Sequence, residues 1–413
     1  MKILILTQYF PPEMGAPQAR LSELVARLRS RGHAMTVITA MPNYPTGRIF
    51  PGYCHRLRLC EESQGLRVIR TAIYPSQSPR KLPRMLNYLS FAASSLLLGA
   101  WRLGRQDLLL LESPPLFLVP AGVAIARLTG ARLVMNVSDI WPDIFVRMGQ
   151  LTAGLPLRAM EWLERFGYRH ADAVALTNPG AAAQIRARFP HVTTTVISNG
   201  VDTTLFRPEL RSQALRRSLG AAPGDFLVGY CGLHGLAQGL EAVVAAAAIL
   251  APHPHIRFVM VGEGPTKQDL RRRAAALALA NLSFWDGRPK TDMPALLASC
   301  DLSLVPLCCA LPGTMPSKIY EAMAAGTPPI VARYCEGEAL VTRHNAGRAF
   351  TPLDGAELAA RIRELDEDRD EYRRVRDNAV ALAARFDRQV IAERTELILT
   401  AIAQGKPPPE VAW

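Results

Sequence analysis

Short apolar runs alternate with amphipathic ones along nearly the whole chain, and this alternation restricts the fold more than any other feature. Lys2 to Thr7 reads as a strand, and Leu21, Leu24, Val25 and Leu28 then recur at helical spacing up to Gly32. Met35 to Thr39 is the next strand. The pattern goes on through Leu108 to Leu111, Ala124 to Leu128, Leu133 to Val137, the helix Leu157 to Tyr168 and the strand Ala173 to Leu176. A polar, Arg-rich stretch, Thr203 to Gly224, interrupts it. It restarts with Phe226 to Tyr230, the helix Leu240 to Leu250, Arg257 to Val261, the helix Thr266 to Ala280, Leu282 to Trp285 and the helix Met293 to Ser299. Apolar strands alternating with helices predict parallel sheets covered on both faces. At 413 residues the chain exceeds a single core. The fold class is therefore α/β, with two doubly wound Rossmann-like domains. The expected boundaries are residues 1–205 and 206–386, with a terminal helix at 387–404 packing back on the first domain.

The formal net charge of +12 calls for an acidic partner: nucleic acid, an anionic membrane or a phosphate-bearing substrate. The basic residues are spread along the chain without an aromatic platform or a recognisable reading module, so nucleic acid is not expected. The seven cysteines are odd in number and lack Cys-x-x-Cys spacing, which reads as small buried hydrophobes in a reducing cytosol. The histidines form no metal-ligand pattern, and no metal or other cofactor is expected. The first apolar run is too short for a signal peptide and meets Pro11 and Pro12 almost at once, which predicts a cytoplasmic protein.

The stretch Pro316 to Gly326 carries the most chemistry. It follows the apolar run Leu302 to Leu307 and a loop holding Pro312, Gly313 and Thr314, and it precedes Ile330 to Ala332. Strand, loop, helix and strand make a βαβ unit whose helix start suits a phosphate. Ser317 is placed to cap that helix. Lys318 adds a cation, and Glu321 one turn on can bind a sugar or ribose hydroxyl. Each half of the chain also opens with a strand and a glycine-bearing loop, Gly15 in the first and Gly229 to Gly235 in the second. Neither matches the dinucleotide fingerprint, yet the strand C-termini where they lie are where doubly wound sheets bind ligands.

Between residues 56 and 105, Arg56, Arg58, Arg67, Arg70, Arg80, Lys81, Arg84, Arg102 and Arg105 face only Glu61 and Glu62. Within this stretch Leu86 to Trp101 is apolar, too short to span a bilayer, and flanked by arginines. Two readings stay open. One is a buried core helix. The other is a helix lying in the surface of an anionic membrane across residues 80–105, anchored by Tyr88 and Trp101.

Taken together, Asn199-Gly-Val-Asp202, Gly229-Tyr-Cys-Gly232, Val261-Gly-Glu-Gly-Pro265, Phe284-Trp-Asp-Gly287 and Pro316 to Gly326 resemble, in order and spacing, the retaining glycosyltransferases of family 4. Tyr9 to Gly15 and Asn136-Val-Ser-Asp-Ile-Trp-Pro142 extend the likeness to the N-terminal half. Asn87 to Phe91, Glu112-Ser-Pro-Pro115 and His234 to Leu240 are similar to the branch that builds bacterial surface polysaccharides, including N-acetylfucosamine and colanic-acid transferases. The resemblance implies the GT-B fold, its two domains facing a cleft, and a nucleotide-diphosphate sugar held by the C-terminal one. Gly232 and Gly264 belong to its glycine loops, Gly287 and Arg288 would border the base, and Glu321 would bind the ribose. Thr314 and Met315 would offer backbone donors to the diphosphate beside Ser317, and Gly15 would let the N-terminal loop approach it.

The departures from the family pattern matter. The second Glu eight positions before the ribose Glu is here Gly313, and the cationic pair of the first C-terminal loop is replaced by Leu233 and Gln238. His234, Lys318, and Arg288 or Arg333 would then stabilise the leaving group, with Lys318 foremost. Where the family has a histidine in the first domain, this chain has Glu112 or Ser113. Glu112 reads either as an acceptor base or as a residue that orders its loop. Asp139 is a further residue to face the acceptor. The implied reaction is metal-independent, retaining transfer from a nucleotide-diphosphate sugar, a UDP-sugar foremost, to a lipid-diphosphate-linked saccharide at the inner face of the plasma membrane. A nucleotide-sugar 2-epimerase of the same fold, or a catalytically silent partner subunit, are the alternatives.

Overall fold

The computed structural model describes residues 1–78 and 80–410; the side chains of Ala16, Pro17 and Lys81 also lie outside the description, so the charge of Lys81 has no placement here. The chain divides into two compact units, Met1–Asn199 with Gln389–Trp413, and Gly200–Arg388.

Unit 1 runs β1 (Lys2–Leu6), α1 (Ala16–Ser30), β2 (Ala34–Ala40), β3 (Arg58–Ser63), β4 (Leu66–Thr71), α2 (Lys81–Ser94), β5 (Leu108–Ser113), α3 (Val119–Thr129), β6 (Arg132–Val137), α4 (Asp143–Arg147), α5 (Leu155–His170), β7 (Ala173–Leu176), α6 (Pro179–Arg188) and β8 (Thr194–Val196). The strands form one sheet in the order β3-β4-β2-β1-β5-β6-β7-β8. Only β3 pairs antiparallel, with β4. It is a polar, half-exposed edge strand, the kind that discourages further pairing. Along the central strands alternate residues enter two different cores, as a two-residue period requires. Leu4, Leu6, Leu109, Leu111 and Met135 join α3 and α5 on one face. Ile3, Ile5, Leu108, Leu110 and Val134 join α1 on the other.

Unit 2 runs α7 (Gln213–Ser218), β9 (Phe226–Cys231), α8 (Glu241–Ile249), β10 (Ile256–Val261), α9 (Lys267–Ala276), β11 (Leu282–Trp285), α10 (Met293–Ser299), β12 (Leu302–Val305), α11 (Lys318–Ala324), β13 (Pro329–Ala332), α12 (Glu336–Arg343), β14 (Arg348–Phe350), α13 (Gly355–Glu367) and α14 (Arg369–Ala384). Its sheet order is β11-β10-β9-β12-β13-β14, all parallel. The order reverses direction between β9 and β12, and unit 1 reverses between β1 and β5. At such switch points the flanking crossovers lie on opposite faces of the sheet, so the loops leaving the two strands part and open a crevice.

The last helix, α15 (Arg388–Ala403), packs on unit 1, with Ile398, Leu399 and Ile402 inside the core that holds Leu21, Val25 and Leu28. Each such side chain contributes about 1.5–3 kcal/mol by burial. Glu396 ties the helix to Arg31 and, at 2.8 Å, to His33. The Arg-rich stretch after residue 203 is an integral part of unit 2. Asp301, at the start of β12, accepts from Arg211 (2.7 Å), Arg216 (2.8 Å) and the Leu227 N–H (2.7 Å). Arg216 is buried and also donates to the Ser299 and Asp225 carbonyls. Removing the carboxylate strands a buried guanidinium. Asp301→Ala is therefore expected to cost about 3–5 kcal/mol in urea-induced unfolding of unit 2, and a loss under about 1 kcal/mol would show that the carboxylate does not anchor this stretch.

Candidate functional site

The crevice of unit 2 is built first from backbone. The loop after β9 is laid directly on the loop after β10. Gly232 N–H donates to the Val261 carbonyl and His234 N–H to the Glu263 carbonyl, both at 2.8 Å. No side chain fits between the two: a Cβ on Gly262 would lie 1.8 Å from the Gly232 oxygen, and one on Gly264 2.2 Å from the His234 oxygen. Gly262 and Gly264 also hold φ of 148° and 155°, which side-chain-bearing residues rarely adopt. Gly264 thus has a close-approach role in the fold itself, and Thr266 completes the contact by donating to the His234 oxygen.

Lys318, the first residue of α11, reaches across the switch point to β9. Its Nζ donates to the Tyr230 hydroxyl at 3.1 Å and lies 4.4 Å from the centre of that ring. The hydroxyl in turn donates to the Leu233 carbonyl at 2.5 Å. The ammonium sits against Gly232, where a Cβ would approach it to 2.2 Å. Burial lowers the Lys318 pKa to about 8, opposed by Cys231 and Glu321. One turn along α11, the half-buried Glu321 carboxylate makes no hydrogen bond or ion pair among the described residues. Burial raises its pKa, while Lys290, Arg388 and Lys318 oppose the rise.

His234 is fully buried, and neither ring nitrogen makes a well-aligned hydrogen bond among the described residues, the Gly232 backbone being the polar group beside it. Burial, then the charges of Lys267 and Lys318, lower its pKa, so the ring is neutral at physiological pH. Its contribution there is that of a neutral donor or acceptor beside Tyr230. Ser317 occupies the position before α11 but does not cap it. Its backbone is already helical (φ −61°, ψ −25°), whereas a capping side chain needs an extended one. The helix starts instead through tight turns, Ile319 N–H to Pro316 and Tyr320 N–H to Ser317. Thr314 N–H closes a turn on Leu311 at 3.1 Å, whereas the N–H groups of Met315, Ser317 and Lys318 have no partner among the described residues.

At the neighbouring strand ends, Lys267 donates to Glu263 (2.9 Å), Asp286 (2.8 Å) and the Trp285 carbonyl (3.1 Å), and Gly287 N–H donates to Glu263 (3.1 Å). Arg288 lies over the Trp285 ring at 5.7 Å. Of the replacements weighed for the missing cations, Arg333 is held by Glu357 at 2.6 Å. Leu233 is exposed. Sequence reasoning missed Tyr230 and Lys267. Tyr230 was legible in principle, as the polar-tipped residue near the end of an otherwise apolar strand.

In unit 1 the corresponding crevice gathers Arg20, Glu112, Asn136 and Asp139. Glu112 is buried with both oxygens engaged, by Arg20 at 2.5 Å and Asn136 at 2.7 Å. Asp139 makes no hydrogen bond among the described residues, and burial raises its pKa against the opposing charge of Arg20. Gly15 precedes α1 with an extended φ of 174°. A Cβ there would meet the flexible end of Gln18, 2.3 Å away, so neither backbone strain nor a rigid obstacle demands glycine at this position.

The apolar stretch before β5 divides its residues. Asn87, Phe91, Ser95 and Gly99 face inward. Leu82, Met85, Leu86, Leu89 and Leu97 form an exposed stripe continued by Trp101, the last two 69% and 63% exposed. Tyr88 does not belong to the stripe: its ring stacks on Phe117 at 5.7 Å and meets Trp141 at 6.5 Å. Among the described residues no helix is long and apolar enough to cross a membrane.

Residues 15–200 match the Glycosyl transferase 4-like domain, and residues 211–381 match Glycosyl transferases group 1. The chain is 30% identical over 347 residues to a protein of Escherichia coli (strain K12) named for colanic acid biosynthesis, glycosyl transferase WcaI, covering 80% of this chain and 83% of that one. The solved structure of sucrose-phosphate synthase from Thermosynechococcus elongatus superposes with a TM-score of 0.74 at 17% identity, over 98% of this chain and 100% of the other. Anabaena HepE in complex with UDP-glucose superposes with a TM-score of 0.70 at 23% identity, over 97% and 100%. The two doubly wound units thus form the GT-B fold, and the chain belongs to glycosyltransferase family 4 and is a glycosyltransferase.

Proposed function

We propose that this enzyme is a retaining, metal-independent transferase that moves a sugar from a nucleotide-diphosphate donor to a lipid-diphosphate-linked saccharide in surface-polysaccharide synthesis. The observation that carries this reading is the Glu321 carboxylate, half-buried and without a hydrogen-bond donor among the described residues, beside the Lys318 ammonium at the switch point of unit 2. A ribose would supply hydroxyl donors to the first, and a diphosphate a counter-charge to the second. The N–H groups of Met315, Ser317 and Lys318 add backbone donors for the diphosphate, while Gly287 and Arg288 border the base. HepE binds UDP-glucose on this fold, and a UDP-sugar is the donor first expected here. In the reaction the bond from the sugar's anomeric carbon to the diphosphate oxygen breaks. A new bond forms on the same face to the acceptor oxygen, whose proton leaves to the departing diphosphate or to a carboxylate. Asp139, which makes no hydrogen bond among the described residues, is the carboxylate we assign to the acceptor side. Glu112, with both oxygens engaged, orients Arg20 and Asn136 instead.

A lipid-linked acceptor also fits the exposed leucine stripe of α2, flanked by Arg80, Arg84, Arg102 and Arg105. It has the composition of a helix resting on an anionic membrane from the cytoplasmic side.

Replacing Glu321 by Ala removes charge-assisted hydrogen bonds worth about 1.5–3 kcal/mol, so the donor Kd should rise roughly 10- to 150-fold in a titration. An unaltered Kd would remove Glu321 from the ribose site. Lys318→Ala should lower kcat by about 10² to 10³ with a smaller effect on donor binding. Because Lys318 stabilises the leaving group only while protonated, kcat/KM should fall as pH rises through about 8, and Lys318→Arg should abolish that fall. A pH profile identical in wild type and Lys318→Arg would contradict the assignment. The chain should sediment with anionic vesicles less well at high salt, and Leu89→Glu with Leu97→Glu should release it. Equal binding to neutral vesicles would dismiss the electrostatic part.

A further inference from the structure

The C-terminal ends of α5 and α6 border an open surface cavity of about 370 Å³ lined by Arg165, Arg169, Arg188, Phe189 and His191. In a doubly wound unit the helices run against the strands, so this cavity lies at the N-terminal edge of the sheet. Neither Glu112 nor Asp139 lines it. The exposed side chains of Arg165 and Arg169, one helical turn apart, make no hydrogen bond or ion pair among the described residues. Arg188 is shared between Asp143 (3.1 Å) and Glu164 (2.8 Å), and its guanidinium lies 5.1 Å from the centre of the Phe189 ring. Glu164 is wholly buried, and burial, partly offset by Arg188, raises its pKa to about 7. At neutral pH it therefore brings less than a full negative charge.

The cavity thus presents three guanidinium groups and an imidazole; Asp143 and Glu164 are both engaged by Arg188, and the one further acid at helical spacing is Glu161, a turn before Arg165 on α5. Cations near helix C-termini often need no explanation beyond the helix dipole. That accounts for Arg169 and Arg188, which sit in the last turns of their helices. It does not account for Arg165 a turn further back, nor for His191 beyond the end of α6. Like charges at this spacing repel, and guanidinium pairs match the geometry of phosphate oxygens.

We propose that this cavity is a binding site for a phosphate-bearing anion, a phosphomonoester or pyrophosphate group, separate from the donor site. Its truth does not depend on the donor reading.

Phenylglyoxal labelling of the full chain, mapped by peptide mass spectrometry, tests the site directly. The probes are inorganic pyrophosphate, as a free anion, and phosphatidylcholine vesicles containing phosphatidic acid, as a lipid headgroup. Near saturation either probe should reduce labelling of Arg165 and Arg169 about fivefold or more, while the exposed Arg271 and Arg343 label as before. Protection by pyrophosphate alone assigns a free phosphate ligand, and protection by vesicles assigns a lipid headgroup. Unchanged labelling at Arg165 and Arg169, or equal loss at all four arginines, overturns the proposal. In the Arg165→Gln/Arg169→Gln variant, protection of Arg188 should disappear while nucleotide-sugar binding is retained. Persistent protection of Arg188 would also overturn it.

Discussion

Everything at the candidate site depends on where the strand order reverses. In unit 2 the neighbours of β9 are β10 on one side and β12 on the other, and the crossovers that follow β9 and β12 leave toward opposite faces. A crevice is left at their C-terminal ends. Tyr230 comes to it from one strand and Lys318 from the helix that follows the other, and their hydrogen bond spans it. The glycine loops complete the wall because Gly262 and Gly264 let two backbones touch where any side chain would part them. Unit 1 repeats the arrangement between β1 and β5, where Arg20 joins Glu112 and neighbours Asp139.

The electrostatics follow from this geometry. The family's usual cationic pair is absent, and no other cation among those weighed replaces it as directly as Lys318. Arg333 is held by Glu357, and His234 is neutral. A lysine stripped of water is poorly stabilised as an ammonium, so its pKa falls to about 8 although the face of the Tyr230 ring lies beside it. On the proposed reading, a diphosphate bound there would reverse that penalty, and the same burial would become a source of differential binding. The acid that balances Lys318, Glu321, is itself destabilised as an anion and gains from any hydroxyl donor.

The sheets were legible in the sequence because strand alternation is local: Leu108 to Leu111 and Phe226 to Tyr230 are strands wherever they pack. The terminal helix and the Pro316–Gly326 unit were legible for the same reason. The failures have a common cause, dependence on partners distant in the chain. Ser317 has the composition of a cap, but the turn at Pro316 gives it helical angles. Tyr88 looked like a membrane anchor until Phe117 and Trp141 took its ring. The stretch Leu86–Trp101 was posed as core or surface, whereas helical periodicity makes it both, with Phe91 inward and Leu89 outward. Thr203–Gly224 showed in the sequence only as a polar interruption of the alternation, because its anchor, Asp301, lies far along the chain. The basic cavity was invisible for a like reason: it arises only where α5 and α6 converge.

The central claim is that unit 2 holds a nucleotide-diphosphate sugar at the β9–β12 crevice. A thermal-shift screen of the full chain against UDP-, GDP- and dTDP-sugars tests it most directly. At about 100 times its Kd a true donor adds about 2.7 kcal/mol, a rise of a few degrees in Tm that grows with concentration. At least one nucleotide sugar should give such a rise, and the free sugar should not. No shift with any nucleotide sugar at millimolar concentration would contradict the account.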